Sequence, residues 1–366
     1  MPKIMFNNAK IAGIVACVPK DSISLDSQIN IFYDNNTAKL NRIKKTIGLD
    51  KRHIADKNTT TLDLCLESAR LLLEMLSLDR DKIDAVIFVT QTPDFLQPNN
   101  SHILHSHLNL KESCACFDVN QGCSGYVYGL YLAFMMIETN LDNILLCAGD
   151  TMSKVVNPSD SNTAPLFGDG GSATIITRKI AKSYFSLNAN GNGYRNIILP
   201  NSGFRGNLSD INCEIDSKDS MDSADSKDST KDIDSKYLYM NGGEVFNFSI
   251  DKEPKAIKEI LGFGKYNIND IDLIFFHQAN AYILTNIAKR LNIPLEKVPM
   301  ESISKYGNTS SASIPLAICD YCTNKKIEKN LKVILSGFGV GLSWASALLE
   351  LDSPMINIKF YQKETK

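Results

Sequence analysis

The chain has 366 residues, enough for one large α/β domain or two ordinary ones with a sizeable core, which excludes a peptide or a disulfide-stapled miniprotein. Lys plus Arg (39) against Asp plus Glu (41) leave a net charge of 39 − 41 = −2, and with 43% hydrophobic and 22% charged residues no basic excess points to nucleic acid or an anionic membrane. The N-terminal MPKIMFNNAKIAG lacks an apolar leader core, so the nine cysteines are expected as reduced thiols in a cytoplasmic protein, without disulfides.

Short apolar runs rich in β-branched and aromatic residues recur along the chain: AVIFV at 85–89, NILLCAG at 143–149, SATIIT at 172–177, LIFF at 273–276 and LKVILSG at 331–337. They fit strands buried on both faces, with amphipathic segments such as 62–76 and 282–291 covering the sheets, which predicts an α/β layered protein. The longest uncharged stretch, Val119 to Ile137, approaches the ~20 residues that span a bilayer, but Asn120, Gln121, Gly122 and Ser124 make it a buried turn and helix. DKIDAVIFVTQ (81–91) and NDIDLIFFHQ (269–278) echo each other, which suggests two similar halves, 1–180 and 181–366. The segment 215–236 has seven Asp, six Ser and four Lys among its 22 residues and almost nothing apolar to bury. It reads as a disordered acidic surface insertion rather than a phosphoserine cluster or a metal-binding repeat.

CFDVNQGCSGYVYGLYLAFMM (116–136) is the strongest local signal. A strand ends near Val119, Gly122 turns the chain, and Cys123 opens a helix whose first N–H groups and dipole are expected to lower the thiol pKa from ~8.5 and make it nucleophilic. Cys17, Cys65, Cys147 and Cys213 read as small buried apolar residues, and Cys114, Cys116, Cys319 and Cys322 as packing. His277 ends the buried run IDLIFF, at the carboxyl end of a strand where open α/β sheets bind ligands. His102, His105 and His107 read as a helix face or subunit contact, and no metal site is expected. Asn308 follows a tight turn in KYGNTSSASIPLA (305–317); taken alone it is a helix cap whose carboxamide can donate hydrogen bonds. Glycines 337, 339 and 341 in LSGFGVGLSWAS permit close approach of backbone N–H groups to a ligand oxyanion.

Taken together, Cys123 in DVNQGCSG, His277 in FFHQAN, Asn308 in YGNTSSAS, the final GFGVGLSWAS and LFGDGGSA at 166–173 resemble the β-ketoacyl-acyl-carrier-protein synthase III family of the thiolase superfamily. The match runs from about Lys10 to Leu351. The resemblance implies a thiolase-like αβαβα layered fold of two similar halves, the first carrying the nucleophilic cysteine and the second the His and Asn, and a homodimer. It also implies a decarboxylating Claisen condensation. Cys123 would take an acyl group from a thioester, with Gly339, Val340 and Gly341 around the oxyanion site. His277 and Asn308 would then hold the malonyl thioester carbonyl as carbon dioxide leaves, in a pocket made apolar by Phe338. No cofactor is implied beyond the phosphopantetheine of coenzyme A or acyl carrier protein.

Departures from the family pattern bear on the substrate. The tryptophan and arginine that commonly clamp the adenine of coenzyme A correspond to Arg42 and Ser161, and Trp344 belongs to the C-terminal motif. The acyl-pocket position often filled by a phenylalanine from the neighbouring subunit corresponds to Leu96 or Gln97. Lys289 and Arg290 match basic positions that dock acyl carrier protein, whereas Tyr282 stands at a third. These differences imply a specialised synthase with a non-standard donor. The alternative is a non-condensing acyltransferase that passes the acyl group from Cys123 to an alcohol or amine.

Overall fold

The computed structural model describes residues 3–204, 236–325 and 330–362; the acidic stretch 215–236 therefore lies outside them but for Lys236, as does Cys213. Runs expected as strands form them: Ala85–Val89 and Leu273–Phe276 with the expected bounds, and Asn143–Thr151, Asp169–Arg178 and Leu331–Gly339 with longer ends. Their near-complete burial on both faces explains why they lack polar alternation.

Two sheets result. The six-stranded sheet runs in the order Met355–Tyr361, Ala9–Pro19, Asp169–Arg178, Asn143–Thr151, Ala85–Val89, Ala115–Val119. The five-stranded sheet runs Lys3–Phe6, Ser183–Ala189, Ser343–Leu351, Leu331–Gly339, Leu273–Phe276. Position 180 falls in the link between the two sheets, but the edges are exchanged: strand 3–6 joins the second sheet and strand 355–361 the first. The two echoing segments occupy matching positions. Each enters through a short 3₁₀ turn, and each strand lies parallel to a neighbour in its own sheet.

Helices fill the spaces around these sheets in an α/β/α/β/α stack, the thiolase-like fold. Gly125–Glu138 and Ser313–Asn324 lie between the sheets, with Phe6, Phe134 and Phe185 in edge and tilted ring contacts at their centre. A helix sandwiched between two sheets needs apolar side chains over most of its surface, which is what GYVYGLYLAFMMIE supplies, with Met135 left exposed. Thr61–Met75 and Asn100–Leu108 cover the outer face of the first sheet, and Gly242–Gly264 and Ala281–Leu291 that of the second. Thr60 caps the Thr61–Met75 helix in a reciprocal box with Asp63. Among the described residues no helix is long and apolar enough to cross a membrane.

One core contact has a measurable consequence. Glu253 is fully buried in the outer layer of the second sheet, where Oε2 accepts the Ser336 hydroxyl at 2.6 Å and Oε1 has no partner among the described residues. Desolvation raises its pKa to about 8, so the carboxyl is neutral in the folded protein at pH 7. A raised folded-state pKa contributes stability that is complete below the unfolded value of ~4.3 and is lost as pH rises through the folded one. Glu253→Gln should therefore remove a pH-dependent loss on the order of a few kcal/mol between pH 5 and pH 8. Urea midpoints of both proteins at the two pH values measure it, and parallel pH profiles would contradict the assignment.

Candidate active site

Cys123 lies in the turn after strand Ala115–Val119, two residues before the first residue of the Gly125–Glu138 helix. The antiparallel hairpin of Leu331–Gly339 and Ser343–Leu351 closes over it from the second sheet. Gly339 has φ +155°, and a Cβ there would stand 2.6 Å from Cys123 Sγ, so only glycine lets this turn approach the sulfur. The backbone N–H groups of Val340 and of Cys123 itself reach the thiol, as does the Ser310 side chain.

His277 follows strand Leu273–Phe276 and is held by its N–H, which donates to the Ser336 carbonyl at 2.8 Å. Its Nδ1 is 2.7 Å from Ser313 Oγ, and its ring meets Phe338 edge-on at 5.7 Å. The ring is 1% exposed, and burial pushes its pKa down to about 3 against a backbone hydrogen bond with Ser310. The imidazole is neutral at pH 7.

Asn308 is fixed by its backbone rather than as a helix cap. Its N–H donates to the Leu166 carbonyl at 2.9 Å and its carbonyl accepts the Gly168 N–H at 3.0 Å, which gives LFGDGG its place beside this turn. Oδ1 accepts the Ser310 N–H at 2.9 Å, leaving Nδ2 with no protein partner among the described residues. Cys123, His277 and Asn308, with Phe338, Gly339 and Val340, line one cavity of about 630 Å³.

Asp150, at the carboxyl end of strand Asn143–Thr151, ties these pieces together. Its Oδ1 accepts the Thr90 hydroxyl at 3.1 Å, the Gln91 N–H at 2.8 Å and the Thr92 hydroxyl at 3.3 Å. Its Oδ2 accepts the Ser311 N–H at 3.1 Å and hydroxyl at 2.7 Å, from the turn that carries Asn308. Sequence reasoning missed Asp150, Ser310 and Ser313. The legible signal was an aspartate closing the apolar run NILLCAG, a position where a charge needs a reason.

Three expectations require correction. The thiol of Cys123 is pushed up to about 11, not lowered: desolvation dominates, the Asp150 charge adds to it, and the N–H groups of Val340 and Cys123 offset only part. The residue also precedes the helix, outside its first turn, so the dipole contribution is smaller than expected. Gly341 is not part of the cavity lining, because the hairpin has already passed the sulfur there and a Cβ would meet Ser343 instead. Of the two acyl-pocket candidates, both exposed, Leu96 is at the cavity lining and Gln97 is outside it.

Lys289 and Arg290 are exposed in the last turn of the Ala281–Leu291 helix, whose first turn reaches the cavity through Ile283; Arg290 Nη1 donates to the Ile250 carbonyl at 3.0 Å. Tyr282 stacks on Phe246 at 5.3 Å. Arg42 and Ser161 are exposed and absent from the lining. His102, His105 and His107 lie on the Asn100–Leu108 helix, and His105 Nε2 is 3.0 Å from the Lys111 carbonyl. No group of three metal-ligating side chains occurs among the described residues.

A layered fold of this kind with a cysteine, a histidine and an asparagine on one cavity defines the thiolase-like condensing enzymes as a class. The model of 3-oxoacyl-[acyl-carrier-protein (ACP)] synthase III matches residues 117–193, and that of its C-terminal region matches residues 262–351. A provisionally named 3-oxoacyl-[acyl-carrier-protein] synthase 3 of Campylobacter jejuni is 39% identical over 364 residues, 99% of each chain. A beta-ketoacyl-[acyl-carrier-protein] synthase III of Clostridium perfringens is 32% identical over 94% of this chain and 99% of that one. The crystal structure of a 3-oxoacyl-(acyl-carrier protein) synthase from Burkholderia xenovorans LB400 superposes with a TM-score of 0.90 at 35% identity, covering 98% of this chain and 99% of that one. The chain belongs to the 3-oxoacyl-[acyl-carrier-protein] synthase III family.

Alkylation of Cys123 by iodoacetamide should follow its thiolate, rising with pH toward about 11. Peptide mass spectrometry after timed exposure at pH 7 to 11 reads this directly; a half-maximal rate near the free-thiol value of ~8.5 would contradict the buried, neutral thiol. Gly339→Ala should block the reaction at every pH, because its methyl group would occupy the approach to Sγ.

Proposed function

We propose that the protein is a condensing enzyme that joins an acyl thioester to malonyl-acyl-carrier-protein with loss of carbon dioxide, giving a β-ketoacyl-acyl-carrier-protein. The observation that carries this reading is that Cys123, His277, Asn308 and the 339–340 turn open on a single cavity. In the first step Cys123 Sγ attacks the thioester carbonyl, and the departing carrier thiol takes up the thiol proton. The N–H groups of Cys123 and Val340 are suited to the tetrahedral oxyanion, since both already reach the sulfur.

In the second step the malonyl thioester carbonyl accepts hydrogen bonds from Asn308 Nδ2 and from His277. Breaking the bond to the carboxylate moves its electron pair into an enolate whose charge falls on that carbonyl oxygen. Two preorganised donors in a desolvated cavity stabilise that charge more than water would. The enolate carbon then forms a bond to the acyl carbonyl, and Cys123 thiolate leaves. Phe338, edge-on to His277, gives the malonyl carboxylate an apolar neighbour and favours its loss.

The surroundings support a specialised synthase. Neither Arg42 nor Ser161 offers the stacked clamp usual for coenzyme A, so the donor is carrier-bound or otherwise unusual. Lys289 and Arg290 are the basic groups for docking an acidic carrier protein, and the working form is a cytoplasmic homodimer.

Purified protein given an acyl donor and carboxyl-labelled malonyl-carrier protein should release labelled carbon dioxide. Asn308→Ala should slow that release about 100-fold, typical of losing one oxyanion donor, yet keep the acyl-Cys123 adduct visible by intact mass. Cys123→Ala should lose the adduct. Acyl transfer to an alcohol or amine without decarboxylation would instead assign the non-condensing activity.

A further inference from the structure

The cavity is not uniformly apolar. Met152, Val155, Ile197, Leu199, Leu238 and Met240 give apolar groups to its lining, whereas the loops that leave the first sheet contribute Gln91 and Asn120. Strands Ala85–Val89 and Ala115–Val119 are parallel neighbours that end together at Val89 and Val119, so their following residues emerge side by side. Gln91 is anchored by its N–H on Asp150, and its Nε2 donates to Asn120 Oδ1 at 3.3 Å. That bond uses Gln91 Nε2 and Asn120 Oδ1, so Gln91 Oε1 can still accept and Asn120 Nδ2 can still donate; Asn120 is exposed and Gln91 half-buried, at the mouth of the cavity. A Cβ on Gly122 would stand 2.4 Å from Gln91 Oε1, so the carboxamide lies directly against the residue preceding Cys123. Gln91, Asn120 and Cys123 line the same cavity, where an acyl chain held on the sulfur would lie.

We propose that the acyl group accepted by Cys123 is a short hydroxyacyl group whose hydroxyl is recognised by Gln91 and Asn120. This rests on the acyl-cysteine reading given above. A hydroxyl both donates, here to Gln91 Oε1, and accepts, here from Asn120 Nδ2, so it satisfies the pair in a way that a carbonyl or a methylene does not. An alkyl chain in the same position would cover both amide groups without pairing them, and sites built to bond a substrate hydroxyl discriminate strongly against analogues lacking it.

The test is competitive acylation. The protein is incubated with an equimolar mixture of butyryl thioester and its 2-, 3- or 4-hydroxy counterpart, and the adducts on Cys123 are resolved by their 16 Da difference in intact mass (one oxygen, a property of the probes) at about one minute intervals. The proposal predicts at least a ~10-fold preference for one hydroxyacyl isomer, collapsing toward unity in Gln91→Leu and, as a second variant on the exposed rim, in Asn120→Ala. Equal acylation by every pair, or a preference that both variants retain, overturns it. No adduct from any thioester overturns the acyl-cysteine reading itself and this one with it.

Discussion

A buried carboxylate holds the site together. Asp150 ends a strand of the first sheet, yet two of the donors that satisfy it come from the turn that orients Asn308 beside the second. The other three come from residues 90–92, the exit of the neighbouring strand. Burying a charge is tolerable only when its oxygens are fully bonded, so those segments cannot drift independently without exposing an unmet group in a dry interior. A hydrogen-bonded charge at the junction thus fixes positions that hydrophobic packing, being non-directional, would leave loose.

That same desolvation decides the electrical character of the centre. Cys123 and His277 could in principle exist as a thiolate and imidazolium, as at many cysteine nucleophiles. Here burial disfavours both ions, and the Asp150 charge disfavours the thiolate further. The resting site is therefore a neutral thiol beside a neutral imidazole. Such a site has little to gain from charge in the ground state and most to gain when charge develops on a substrate oxygen, which is the requirement for stabilising an enolate or a tetrahedral oxyanion. The hairpin at Gly339 brings the N–H groups of the second sheet to the sulfur, and the positive φ there is the backbone cost of that approach.

The fold was legible in the sequence where burial was complete. The doubly buried runs at 85–89 and 273–276 gave their strands with matching bounds, and the apolar-all-round segment after Cys123 gave the central helix, because interior elements carry no competing surface signal. The exchange of the edge strands 3–6 and 355–361 was not legible, since partners far apart in sequence are chosen by packing alone. Cys123, His277 and Asn308 were readable from motif and strand ends, and the cavity does bring them to one place. The direction of the Cys123 shift was not, because a local rule about helix starts carries no information on desolvation or on Asp150, 27 positions away. Ser313 was equally hidden: in SSAS nothing distinguishes the serine beside His277 from its neighbours.

The central claim is that the site rests uncharged at its cysteine and histidine. Nitrogen-15 NMR of protein labelled at histidine, titrated from pH 8 to pH 4, tests it most directly. The account predicts that the His277 ring keeps the shifts of a neutral imidazole throughout, with one protonated and one bare nitrogen, consistent with a pKa of about 3. A doubly protonated His277 ring at pH 7, lost on replacing Cys123 by alanine, would reveal a thiolate–imidazolium pair and contradict it.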